Sequence, residues 1–186
     1  MILQDIINII ESVAPLSYQE SWDNSGLQVG DRNAEVHAAL LTVDVTESVV
    51  NEAIEKHCDL IISHHPLIFR GLKQITGSTT QERCIEKAIR HNIAIYSSHT
   101  SMDVYLHGVS GKIADKLDII NYHILCPTTD DNVGLGVIGE LKTPMKSDDF
   151  IDFVQTIFDC SLRYIKPCDE NITTVAICGG AVAEFI

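Results

Sequence analysis

The sequence predicts an α/β fold with mixed, largely parallel sheets. Short apolar runs rich in β-branched residues occupy 38–43, 60–63 and 93–97, and segments of helical periodicity separate them. Continuous apolar strands that alternate with helices are typical of parallel sheets that are buried on both faces. The chain has 186 residues, of which 45% are apolar and 21% charged, so it can bury a substantial core.

Residues 2–14 are predicted to form an amphipathic helix. Apolar residues recur there at helical spacing, and Pro15 ends the pattern. The polar stretch 22–27 that follows is predicted to be a structured loop. Two interpretations of that loop stay open: Trp22 packs while Asp23 caps a turn, or the segment lines a functional site.

A repeat of strands and helices follows the loop. Strands are predicted at 38–43, 60–63 and 93–97, and helices at 46–57 with Thr46 as N-cap, at 81–91 and at 109–117. Right-handed crossover units place such strands in parallel, and the carboxyl ends of parallel strands meet at one edge of the sheet. Asp44, His64, His65 and His99 are therefore expected near that edge.

The pattern changes at Pro127, so we predict a first α/β half over 1–126 and the start of a second over 127–186. A glycine-rich strand is expected at 134–141 and another strand at 172–178. Between them, Ser147 is predicted to cap a helix that runs to Phe158 and has acidic residues in its first turn. The last strand is followed by only a few residues, so the second half is expected to be incomplete.

Composition excludes several classes of function. The net charge of −13 and the scattered basic residues argue against nucleic-acid binding, which needs clustered Lys and Arg. No apolar run reaches the length of a membrane span, and the N-terminus lacks the basic leader of a secretory signal. The six cysteines show no short paired spacing, so we expect reduced thiols in a cytoplasmic protein.

The clustered histidines predict a metal site at the carboxyl ends of the strands. His64 and His65 end one apolar run, His99 ends the next, and Asp103 follows one helical turn later. Consecutive residues of a regular strand point to opposite faces, so the adjacent histidines favour two ions with one imidazole each. Asp103 can ligate, and His99 can either ligate or orient a ligand. The alternative is that these histidines are satisfied by backbone carbonyls.

Mixed imidazole and carboxylate ligands favour Zn, Fe, Mn, Co or Ni over Ca or Mg. Asp44, at the end of its strand, is a candidate to contact the site, although capping the next helix explains it equally well. Arg70 and Lys73 are the basic residues nearest to the histidines in sequence. They are candidate phosphate contacts, and the alternative is that they are solvated loop cations.

Three motifs together resemble one protein family. They are WDNSGLQVG at 22–30, SHHPLIF at 63–69 and SHTSMD at 98–103, and segments 134–141 and 175–180 agree with it. The chain resembles the GTP cyclohydrolase I type 2-like family, also called the Ngg-one-interacting-factor-three-like family of dinuclear metal proteins. The resemblance implies two interlocked α/β halves, a homo-oligomer that is commonly a hexamer, and a site that holds two divalent metal ions. It implies that His64, His65 and Asp103 are metal ligands and that His99 lies beside them.

The predicted function is that of a metal-dependent hydrolase of cyclohydrolase or phosphoester type. His99 would orient the reaction or shuttle a proton, and the substrate would be a small molecule such as a nucleotide. The alternative is a metal-binding regulatory or scaffolding protein in which metal supports assembly. The family takes further ligands from a C-terminal segment that does not follow Ile186 here, so we expect either truncation at this point or a protein with half of the site.

Overall fold

The computed structural model describes residues 1–128, 132–165 and 171–180. The chain forms two compact units, Met1–Met102 and Asp103–Ile186. The boundary that the sequence predicted, between residues 126 and 127, lies inside the strand Ile119–Pro127. This strand belongs to the second unit because it pairs along its length with the glycine-rich strand that begins at Gly134.

The first unit contains four strands and the helices that cover them. In chain order they are α1 Leu3–Val13, a 3₁₀ turn Leu16–Tyr18, β1 Gly26–Val29, β2 Ala39–Thr42, α2 Glu47–Glu55, β3 Leu60–Ser63, α3 Thr80–Arg90, β4 Ala94–Ser97 and α4 Thr100–Asp103. The last residue of α4, Asp103, is counted with the second unit. The predicted helices and parallel strands are confirmed to within a few residues. Thr46 caps α2 as expected, since its hydroxyl accepts the N–H of Val49.

The sheet of the first unit has the order β1-β4-β3-β2. Strands β2, β3 and β4 are parallel, and β1 joins the edge antiparallel to β4. The predicted α/β class is confirmed. Strand β1 begins at Gly26, inside the segment 22–27 that was predicted to be a loop. Its pairing with β4 brings residues 22–25 to the end of β4, where His99 follows.

Helices bury both faces of this sheet, as continuous apolar strands require. Leu60 and Tyr96 face α1, and Ile61 and Ile95 face α2 and α3. All four side chains are almost completely buried. Because both faces are packed, the carboxyl ends of the strands are held in a fixed position.

The second unit contains an antiparallel sheet of order β5-β6-β7. Its elements are α5 Val109–Lys116, β5 Ile119–Pro127, β6 Gly134–Lys146, α6 Ser147–Phe158 and β7 Asn171–Ile177. Parallel pairing is thus confined to the first unit among the described residues, whereas the sequence predicted it to predominate. Strand β5 was not predicted from the sequence.

The N-terminus of α6 differs from the prediction by one residue. Lys146, with φ −64° and ψ 149°, is the N-cap, and its side chain makes no capping hydrogen bond. Ser147 is the first helical residue rather than the cap, because the strand continues in extended conformation through Lys146. The acidic first turn, Asp148 and Asp149, is as expected.

Within the described ranges, no helix has both the length and the apolar character needed to cross a bilayer. The five cysteines found in these ranges are unpaired. Cys168 lies outside the described residues, as do the last six residues of the chain.

Candidate metal centre

Three imidazoles converge where β3 and β4 end. The ring centroids lie 4.9 Å apart for His64 and His65, 5.3 Å for His64 and His99, and 5.5 Å for His65 and His99. One nitrogen from each ring lies within 4.8 Å of one from each of the others. The structure therefore brings together three of the four predicted site residues within the first unit.

His64 and His65 lie on the same side because the regular strand ends before them. In a strand, successive N–H groups point in opposite directions. Here the N–H groups of both histidines donate toward β2, to the carbonyls of Thr42 and Val43, at 3.1 and 2.9 Å. The Ser63 hydroxyl donates to the carbonyl of His65 at 2.9 Å and stabilises this turn of the backbone. The opposite-face rule for a regular strand therefore does not apply to these two residues, because β3 ends at Ser63.

Asp44 positions His65. Its Oδ1 lies 2.8 Å from Nδ1 of His65, and its carboxylate is largely exposed. The two interpretations of Asp44 are separated by the structure, since Thr46 and not Asp44 caps α2. A carboxylate on one ring nitrogen of a histidine orients the other nitrogen and raises its basicity toward a metal.

Asp23 positions His99 in the same way, but from a buried location. Its Oδ1 is 2.8 Å from Nδ1 of His99, and its side chain is fully buried. The same carboxylate accepts hydrogen bonds from the backbone N–H and hydroxyl of Thr100, from the Ser25 hydroxyl and from the N–H of Asn24. The Asp23 loop thus contacts the site, as the second interpretation of that loop proposed.

The pKa of Asp23 reflects this environment. Burial by itself raises the pKa, but the hydrogen bonds from His99, Thr100, Asn24 and Ser25 outweigh it and lower the value to about 2. The carboxylate is therefore ionised at any physiological pH and remains a hydrogen-bond acceptor for His99.

His64 is held by a backbone group. Its Nδ1 lies 3.1 Å from the carbonyl oxygen of Ser98, which can only accept, so Nδ1 carries the proton. All three imidazoles thus have Nδ1 against an oxygen acceptor. In the neutral tautomers that these partners select, Nε2 is the nitrogen with the lone pair.

Asp103, the fourth predicted site residue, is the last residue of α4, the short helix that begins directly after His99. It is also the first residue of the second unit. Its role as a metal ligand remains a prediction from the resemblance, as do the metal roles of the histidines.

Sequence reasoning missed the contacts made by Asp23 and Ser98. Asp23 is 76 residues from His99 in the chain. The available signal was the polar run 23–25 directly before the short segment Gly26–Val29, which is compatible with a loop that is fixed by an adjacent strand. Ser98 gave no signal, because it acts through its backbone carbonyl.

Comparison with known proteins finds relatives along the whole chain. The family described as Duf34/NIF3 (NGG1p interacting factor 3) matches residues 1–186. A Clostridium acetobutylicum protein named GTP cyclohydrolase 1 type 2 homolog is 37% identical over 186 residues, covering 98% of this chain and 69% of that protein. NIF3-like protein 1 of Drosophila melanogaster is 33% identical over 189 residues, covering 99% of this chain and 65% of that protein.

A solved structure shares the fold. The crystal structure of Staphylococcus aureus protein SA1388 matches with a TM-score of 0.91 and 29% sequence identity, covering 100% of this chain and 74% of that chain. The chain therefore spans between 65% and 74% of the length of these three relatives.

Proposed function

The chain belongs to the Duf34/NIF3 family, and on this premise we propose that it is a metal-dependent hydrolase whose metal is held by His64, His65 and Asp103. The observation that carries the proposal is the convergence of three imidazoles, each with Nδ1 hydrogen-bonded to an oxygen acceptor. Unrelated surface histidines have no reason to share this arrangement, whereas metal-ligating histidines almost always do.

The donor set fits a divalent transition metal. Imidazoles suit Zn, Fe, Co and Ni, and a carboxylate extends the set to Mn. We propose two ions, as in the dinuclear proteins that the sequence resembles, with His64 as a ligand of one ion, His65 as a ligand of the other and Asp103 as a further ligand. The homo-oligomer that the resemblance implies is part of the same proposal.

A bound divalent ion supplies Lewis-acid chemistry and makes water a nucleophile at neutral pH. The chain's own residues orient that chemistry. Asp23 fixes the ring plane of His99 through Nδ1, so that Nε2 is the atom that accepts or returns a proton. Asp44 fixes the ring of His65. The name of the clostridial relative suggests hydrolysis of a purine nucleotide ring, and phosphoester hydrolysis uses the same groups.

Metal content tests the binding part of this proposal. The chain, purified without chelator, is expected to carry about two transition ions by elemental analysis. His64→Ala, His65→Ala and Asp103→Asn should each lose metal, and His99→Ala should keep most of it. His37→Ala is the matched control, because that exposed histidine also contacts a carboxylate, Asp59, but lies outside the group of three.

Turnover tests the catalytic part. The metal-loaded chain is incubated with GTP or with bis(p-nitrophenyl) phosphate, and a chelated sample serves as the control. Metal-dependent product formation that is lost in His99→Ala supports a hydrolase. Metal binding without turnover of either compound supports the regulatory or scaffolding alternative. A chain that binds no transition metal overturns the proposal.

A further inference from the structure

Two large aromatic side chains lie exposed beside the histidines. Trp22 is 58% exposed and Phe69 is 44% exposed. Their ring centroids are 5.9 Å apart with an interplanar angle of 55°. Exposed single apolar residues are ordinary, but paired aromatic rings that contact each other in the open are characteristic of binding surfaces.

The two loops that carry these rings are tied together by hydrogen bonds. The Asn24 side chain donates to the carbonyl of Ile68 at 2.6 Å, and the Gln28 side chain accepts the N–H of Ile68 at 2.7 Å. Gln28 also donates to the carbonyl of Asn24 at 2.6 Å. The aromatic pair is therefore pre-organised, which lowers the entropic cost of binding a ligand.

The aromatic pair adjoins the candidate metal centre directly. The Trp22 ring meets the ring of His99 edge-on, with centroids 6.1 Å apart. His99 in turn contacts the rings of His64 and His65. A planar ligand that stacks on Trp22 would thus lie beside the imidazole that we assign to proton transfer.

The residue after Phe69 in the same loop is cationic. Arg70 directly follows Phe69, is exposed, and forms no ion pair with any residue in the ranges 1–128, 132–165 and 171–180. The guanidiniums of Arg83 and Arg90, by contrast, are paired with Glu47 and Glu86. An arginine without an acidic partner in a chain of net charge −13 is suited to an anionic ligand.

We propose that Trp22 and Phe69 bind the planar heteroaromatic ring of an anionic small molecule, such as a purine nucleotide, and that Arg70 binds its anionic group. The aromatic pair would position the ring beside His99 and select ring-bearing substrates over other phosphorylated compounds. This inference rests on the proposed function and assigns the residues that would recognise its substrate.

The chain offers a direct probe, since Trp22 is its only tryptophan. Fluorescence excited at the red edge of tryptophan absorption is titrated with AMP and GMP, and with ribose 5-phosphate, which has the same anionic group but no ring. Each titration is run with and without zinc. We expect quenching by the two nucleotides and at least tenfold weaker binding of ribose 5-phosphate.

Variants separate the parts of the site. Phe69→Leu keeps an apolar side chain but removes the ring, and it should weaken nucleotide binding about tenfold. Arg70→Gln should weaken the nucleotides and ribose 5-phosphate by similar factors, because it removes the contact to their shared anionic group. Ile75→Ala is the matched control, since Ile75 is an exposed apolar residue of the same loop, and it should change neither.

Metal content of each variant, measured in parallel, keeps the two proposals distinguishable. Equal affinities for nucleotides and ribose 5-phosphate, or a Phe69→Leu variant that binds nucleotides as well as the unmodified chain, would overturn the aromatic subsite while leaving metal binding intact. Nucleotide binding by a chain that takes up no metal would support the subsite and contradict the proposed hydrolase.

Discussion

Replacing Asp23 with asparagine should lower the free energy of unfolding by about 3 kcal/mol at neutral pH. The buried carboxylate accepts hydrogen bonds on both oxygens, from His99 and Asn24 on one and from Ser25 and Thr100 on the other. An asparagine amide has the same shape, but its nitrogen is a donor and faces other donors whichever way it turns. Each buried donor left without an acceptor costs about 1–3 kcal/mol.

The same variant should alter the pH dependence of stability. The pKa of Asp23 is lowered from its ordinary value of 3.8 to about 2, so the unfolded chain takes up a proton first as the pH falls. The stabilisation is complete above about pH 5 and is lost as the pH falls from about 4 toward 2. The size of the shift corresponds to at most about 2.5 kcal/mol.

Urea unfolding of the metal-free chain, followed by Trp22 fluorescence at pH 7 and at pH 3, measures both effects. Asp44→Asn is the matched control, because Asp44 also accepts from a histidine Nδ1 at 2.8 Å but is 65% exposed. That variant should change the free energy of unfolding by less than about 1 kcal/mol. The reasoning is refuted if Asp23→Asn costs no more than Asp44→Asn, or if its cost is the same at both pH values.

Two further substitutions test the scaffold that holds the site. Ile61→Ala, in the completely buried centre of β3, should lower the free energy of unfolding by about 3 kcal/mol in a urea titration. Leu41→Ala should lower it by less than about 0.5 kcal/mol, because Leu41 is 75% exposed on the edge strand β2. Equal losses in the two variants would contradict the packing of the sheet. Glu82→Gln should speed amide exchange at Thr76 and Ser78, whose N–H groups donate to this carboxylate, and unchanged exchange would exclude that role. Hydrogen bonds from Thr76, Ser78 and Thr79 lower the pKa of Glu82 to about 2, so this loop should also loosen as the pH falls below about 4.

The sequence by itself determined the α/β character of the first unit and the placement of the histidines. The runs that contain β2, β3 and β4 are short, apolar and separated by amphipathic helices, and this local periodicity carries enough information to place each element. Because the carboxyl ends of parallel strands meet at one edge, the positions of His64, His65 and His99 followed from the order of those elements.

Only the tertiary structure decided which groups hold the imidazoles and how the rings point. Asp23 reaches His99 because β1 pairs antiparallel with β4, and the pairing of strands so far apart in the chain leaves no periodic signal. Likewise, the turn after Ser63 places His64 and His65 on one side, since its hydrogen bonds join backbone groups whose partners depend on the packing of β2 beside β3. Periodicity specifies which elements form, whereas the orientation of a side chain at the end of an element depends on contacts with residues that are distant in sequence.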